Sequence, residues 1–173
     1  VTGVLTNINS ASDGTSGNGN GYFWGSPLFS ADSSKVFFVS ESSNLAVGDT
    51  NNTHDIFVKD LTTGAISRVN TAVDGSQAYG RSYNPRFSPD GKKVIFYSAE
   101  TNLVVGDTNG TEDIFIKDLS TGAISRVNTA ADGGQAYGYS YGATFSSDGK
   151  KVVFISAARN LVAGDTNGTE DIF

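Results

Sequence analysis

Short apolar runs closed by Gly, Asn, Asp or Ser recur along the whole chain, and no long stretch of helical periodicity interrupts them. Residues 83–128 carry the pattern most plainly. Residues 83–88 read as a first strand, and Pro89-Asp90-Gly91-Lys92 as a tight turn in which Gly supplies the positive φ. Residues 93–98 (Lys-Val-Ile-Phe-Tyr-Ser) form a nearly continuous apolar run, the pattern of a strand covered on both faces. A long polar loop fills 99–112. Residues 113–119 then alternate as a third strand, Ser120-Thr121-Gly122 turns, and 123–128 make a fourth.

This unit repeats. Asp-Ile-Phe stands at 55–57, 113–115 and 171–173, a spacing of 58 residues, and residues 58–115 and 116–173 are identical at roughly three quarters of positions without a gap. The chain thus divides into repeats 1–57, 58–115 and 116–173 of one domain. The first is more diverged, with about three extra residues within 15–25. Four antiparallel strands in a unit of this length make one propeller blade, so the predicted fold is an all-β propeller segment. Three blades do not close a ring, since propellers typically use about four to eight. Residues 1–9 align with 62–70, a fourth outer strand, and the third repeat stops within its third strand, so one blade is divided between the two ends. The expected partners are therefore further propeller blades or a second copy of the chain, which would make this chain half of a six-bladed ring.

Ser88-Pro89-Asp90-Gly91-Lys92-Lys93-Val94-Ile95-Phe96 resembles the signature of TolB-like propeller repeats. So do residues 146–154 and, more loosely, 30–38, where Ser33-Ser34 replaces Asp-Gly. Residues 102–115 resemble a long-loop variant common in bacterial surface proteins. The resemblance covers essentially the whole chain and implies fold rather than activity, because propellers host unrelated functions.

Composition agrees with many short strands: 38% hydrophobic and 17% charged residues, with Gly, Ser, Thr and Asn filling the difference. A net charge of −6 repels a phosphate backbone, so nucleic acid is not an expected partner. No apolar run approaches the roughly 20 residues of a membrane helix, so membrane insertion is not expected. Cysteine is absent, which removes disulfides and thiolate chemistry. Methionine is also absent, so the sequence reads as a processed form or part of something longer.

The long loops carry the most specific chemistry. Asp49, Asn51, Thr53 and Asp55 are matched by Asp107, Asn109, Thr111 and Asp113, then by Asp165, Asn167, Thr169 and Asp171. Oxygen ligands at positions 1, 3, 5 and 7 of a tight loop suit a hard cation, and the expectation is one Ca²⁺ per loop. The diverged first repeat keeps all four residues. The match to an EF-hand is partial, since Gly stands at position 4 and a strand follows. Calcium sites of this kind imply an extracellular, cell-surface or periplasmic setting.

Gly138-Tyr139-Ser140-Tyr141-Gly142 has the spacing of a nucleophile elbow, but it opens a strand and the single histidine, His54, lies in another repeat. Acids unique to one repeat are few; Asp32, Glu41 and Glu100 are the candidates, each read as solvated surface. No catalytic residue is assigned. Aromatics before each first strand, among them Trp24, Tyr79, Tyr137 and Tyr139, are candidate ligand contacts. The expected function is a non-catalytic secreted or cell-surface scaffold or protein-interaction module stabilised by calcium. A glycan-binding propeller, or an accessory propeller of a larger extracellular enzyme, is the alternative.

Overall fold

In the computed structural model, residues 5–23 and 29–173 are described, and among them every regular element is a strand. The first sheet runs β1 (Gly21–Tyr22), β2 (Lys35–Ser40), β3 (Asp55–Asp60) and β4 (Ile66–Arg68), in that spatial order. The second runs β5 (Ser82–Phe87), β6 (Lys93–Ser98), β7 (Asp113–Asp118) and β8 (Ile124–Arg126). The third holds β9 (Ser140–Phe145), β10 (Val152–Ser156) and β11 (Asp171–Ile172). All pairings are antiparallel between neighbours in sequence. These are propeller blades.

The apolar runs are continuous because each middle strand is covered on both sides. Alternate residues of a strand face opposite ways. Val94 and Phe96 of β6 pack with Phe37, Val39 and Ile56 of the first sheet, whereas Ile95 and Tyr97 pack with Phe154 and Ala143 of the third. All four β6 side chains are buried, and each contributes about 1.5–3 kcal/mol by leaving water. One ring pair is reproduced in every sheet: Phe38–Phe57, Phe96–Phe115 and Phe154–Phe173, each with centroids 5.7 Å apart. Val153 and Ile172 are 42% and 75% exposed, while their counterparts Ile95 and Ile114 are fully buried under the next sheet.

The tight turns follow their sequence. Ser88 donates to Asp90 Oδ1 at 2.6 Å, Asp90 accepts the Lys92 N–H, and Gly91 takes a φ of 67°. Asp32 does the same work between Ser30 and Ser34, with Ser33 at a φ of 58° in glycine's place. It is therefore the counterpart of Asp90 and Asp148, a turn residue rather than an acid particular to one blade. Its hydrogen bond from Ser30 is the main cause that holds its carboxyl down at about 2. Where β5 pairs with β6 the register shifts between Tyr83 and Arg86, around Asn84 at a φ of 51°; β9 shifts likewise around Gly142 at 68°. A bulge of this kind bends the strand and re-aims its side chains.

In each of the first two blades a lysine ties the third strand to the connection before the blade. Lys59 Nζ donates to Ser10 O (2.6 Å) and Ser10 Oγ (2.7 Å), and Lys117 Nζ to Thr71 O (2.7 Å) and Thr71 Oγ1 (3.0 Å).

Candidate functional site

The long loops and the starts of the first strands lie at the same end of the sheets, where the second strand of each blade stops and the third begins. Asp55, the first residue of β3, is fully buried, and Asp49 comes against it from the loop. Arg68 of β4 brings Nη1 to 3.4 Å from Asp49 Oδ1 and 3.7 Å from Asp55 Oδ2. Asn70 donates to Asp55 Oδ1, and its own Oδ1 accepts the Ile56 N–H at 3.0 Å. The second blade repeats this. Arg126 Nη1 lies 3.6 Å from both Asp107 Oδ1 and Asp113 Oδ2, and Asn128 serves Asp113 and Ile114. Gln77 and Gln135 close the frame by accepting from the arginine and from the N–H of Thr50 or Thr108.

In each loop the expected asparagine ligand is brought against the second aspartate, nitrogen first. Asn51 turns its amide nitrogen to Asp55 (3.3 Å) and Asn109 to Asp113 (3.3 Å), while their oxygens accept the N–H of Thr53 and Thr111. Asn167, Thr169 and Asp171 repeat the pattern in the third loop. The threonines join through their main chain. Asp55 Oδ2, Asp107 Oδ1 and Asp165 Oδ1, one oxygen per loop, are buried without a hydrogen-bond partner. Among the described residues no three His, Cys, Asp or Glu side chains gather into one group. Burial pushes one carboxyl of each pair up to about 6, Asp55 in the first blade and Asp107 in the second. Two acids facing each other titrate as a unit, sharing one proton.

Arg68, Arg126, Asn70, Asn128 and the glutamines were not among the residues singled out from the sequence. The signal of the arginines and asparagines was present as Ile-Ser-Arg-Val-Asn-Thr, identical at 66–71 and 124–129. It lies in the outer strand, some 13 residues beyond the acids it serves.

At the start of the first strands sits a row of tyrosines. Tyr139 and Tyr141 stack with centroids 6.2 Å apart, and both donate to Glu170, at 3.0 and 2.6 Å. Tyr83 stacks on Tyr97 at 5.9 Å, and Arg81, Tyr83, Asn84, Glu100 and Glu112 line an open cavity in the second blade. Burial, then hydrogen bonding to Glu112, pushes the Tyr83 hydroxyl up. Glu100 reaches this cavity by lying over Gly80, where a Cβ would meet its carboxylate. Tyr79 and Tyr137 are exposed, at 72% and 81%, with no ring partner among the described residues. Trp24 lies outside the described residues.

Ser140 is buried, donating to Ser156 Oγ at 2.9 Å and accepting from Asn128, so its hydroxyl belongs to the inter-strand packing.

The chain matches no family model. It is 27% identical over 104 residues to dipeptidyl-peptidase 5 of Porphyromonas gingivalis, covering 60% of this chain and 14% of that protein. Among solved structures it is similar to TolB from Agrobacterium tumefaciens, with a TM-score of 0.47 and 22% identity over 74% of this chain and 36% of that one. It is also similar to the β-propeller domain of the trilobed protease from Pyrococcus furiosus, at TM-score 0.44 and 18% identity, covering 70% and 31%. The likeness is to propellers. The chain spans a seventh of the peptidase and about a third of each of these two structures. No helix among the described residues is long and apolar enough to cross a membrane.

Proposed function

We propose that this chain is a non-catalytic β-propeller module of a secreted, cell-surface or periplasmic protein, serving as a scaffold or protein-interaction surface. One observation carries the reading. The buried charges of the first two blades engage one another in the same way, Asp49–Arg68–Asp55 and Asp107–Arg126–Asp113. Side chains that repeat and pair internally hold blades together; a reaction centre needs groups particular to one place. The open face at Val153 and Ile172 suits a further blade or a second copy of the chain.

A second reading concerns calcium, and it rests on the buried carboxylate oxygen that each loop leaves without a hydrogen bond. A Ca²⁺ there would take Asp49, Asn51 and Asp55, or their counterparts, with the asparagine amides reversed and the ion against the arginine. The arginine already supplies counter-charge in the first two loops, so we favour it as the resident cation.

The two readings differ in sign with pH. Without an ion, Asp55 and Asp107 have folded values of about 6 against 3.8 for the free group. The stability they contribute is full below the unfolded value and is lost as pH rises through the folded one. The melting temperature should therefore rise from pH 7 to pH 5. It should fall again below about pH 4, where turn acids held low by hydrogen bonds, such as Asp90 and Asp118, become protonated. EDTA at pH 7 should leave it unchanged. A calcium-held chain would behave oppositely, because bound Ca²⁺ needs ionised carboxylates. Chelation would then remove about 2.7 kcal/mol per site previously held at a hundredfold excess over Kd.

A further inference from the structure

We propose that the starts of the first strands form one continuous face that binds an extended, lysine- or arginine-rich segment of a partner protein. The inference rests on the interaction-module reading above and names its partner's chemistry.

The leading observation is a substitution between repeats. In the third blade Tyr141 donates to Glu170, and in the second Glu112 faces the Tyr83 hydroxyl. The first blade has His54 where the others have glutamate, yet its Tyr22 still donates to a carboxylate, Glu41 Oε2, at 3.2 Å. Glu41 enters from the end of the second strand, where the other repeats have Ala99 and Ala157, and His54 Nε2 lies 3.2 Å from it. Simple duplication would reproduce the same residue. Here the tyrosine–carboxylate pair is kept by a different one, which marks the pair itself as what matters.

The three pairs belong to one surface. The Ser82 N–H beside Tyr83 donates to His54 O at 3.1 Å, joining the first tip to the second. Tyr83 stacks on Tyr97, whose hydroxyl accepts the Ala143 N–H at 2.6 Å, joining the second to the third. Around this joined frame the side chains vary: Arg81, Asn84 and Glu100 stand where the third repeat has Tyr139, Gly142 and Ala158. The face thus has a constant row and a blade-specific fringe.

Charge selects the ligand. Glu41, Glu100, Glu112 and Glu170 outnumber the guanidiniums beside them, Arg81 at the second-blade cavity and Arg159 against Gly168 of the third loop, on a chain of net charge −6. A tyrosine face attracts ammonium and guanidinium groups, and a carboxylate at its edge adds a direct ion pair. An anionic ligand would be repelled, and a neutral sugar would draw no benefit from this field. A row of similar subsites suits an extended chain with recurring cations.

Octalysine is the probe, titrated into the 173-residue chain by calorimetry, with cellohexaose and octaglutamate in parallel. Octalysine alone should bind, and its affinity should fall steeply between low and high salt. Glu41→Gln, Glu112→Gln and Glu170→Gln together should weaken it by about tenfold or more, since the row then loses three charges while keeping its shape. Asp32→Asn, Asp90→Asn and Asp148→Asn make the same change in net charge in turns at the opposite end of the sheets, and should leave binding nearly as it was. Equal loss in both triple variants would mean a diffuse acidic surface and would overturn the proposal. So would binding of cellohexaose in preference to octalysine, or no binding at all. Those results leave the internally paired charges behind the scaffold reading standing, because their test is the pH and EDTA dependence of unfolding.

Discussion

Replacing Arg126 with methionine should destabilise the chain by about 3–5 kcal/mol, the cost of leaving a buried charge without its partner. The arginine side chain is 7% exposed, and its Nη1 lies 3.6 Å from each of two carboxylates that are 3% and 0% exposed. Methionine fills the aliphatic part of the space but leaves Asp107 and Asp113 facing each other with no counter-charge. The pair then takes up a proton more readily than before, so the loss should be severe at pH 7 and smaller at pH 5. At about 2–4 °C per kcal/mol for a domain of this size, the melting temperature falls by on the order of 10 °C. Adding Asp107→Asn should return part of that, because Asp113 keeps its hydrogen bond from Asn128 while the repulsion disappears. Chemical denaturation of the single and double variants at both pH values gives the comparison. A loss under about 1 kcal/mol for the single variant, in the range of surface pairs, would refute a buried structural role.

The strands were legible because burial on both faces writes an unbroken apolar run into the sequence. The run at 93–98 coincides with β6 (Lys93–Ser98), and 113–119 with β7 (Asp113–Asp118) to within a residue. The predicted first strand, 83–88, is displaced by one from β5 (Ser82–Phe87), and nothing in Tyr-Asn-Pro-Arg announces the bulge at Asn84. The repeated acids were found by spacing alone. Their arginine was not, because β8 is three residues long and Ile-Ser-Arg reads as an outer strand with its polar residues in water. Only pairing Phe115 with Arg126 across the sheet turns that guanidinium inward toward the loop. Glu100 escaped for a similar reason. Its exposure looks like ordinary surface until Gly80, in another strand connection, is found to leave room for its carboxylate. Local pattern gives elements and turns; which side chains meet depends on register and on the neighbouring blade.

Lys117→Met is the second large effect, and it probes the joint between blades rather than the interior of one. Lys117 is buried, and its ammonium is held by the Thr71 carbonyl, the Thr71 hydroxyl and, at 3.4 Å, the Ala72 carbonyl, with no carboxylate among these partners. Burial accordingly lowers its pKa. These acceptors belong to the connection between β4 and β5, so the lysine fastens the third strand of one blade to the chain entering it. Methionine preserves the stem's packing and removes the donors, leaving carbonyls that find no replacement inside. Hydrogen bonds to a charged group contribute about 1.5–3 kcal/mol, and a loss near 2 kcal/mol is expected. In a repeat architecture such a loss should be local, since each unit depends on its neighbours rather than on the whole. Amide exchange should therefore quicken at residues 70–78, where Ala72 and Ala78 donate to Ser76 O and Asn70 O, while β10 keeps its protection. Lys59→Met should do the same around Ser10 and Ala11. Uniform quickening across all three sheets would mean that the chain unfolds as one unit. The lysine would then count only as another core residue, and not as the fastening between blades.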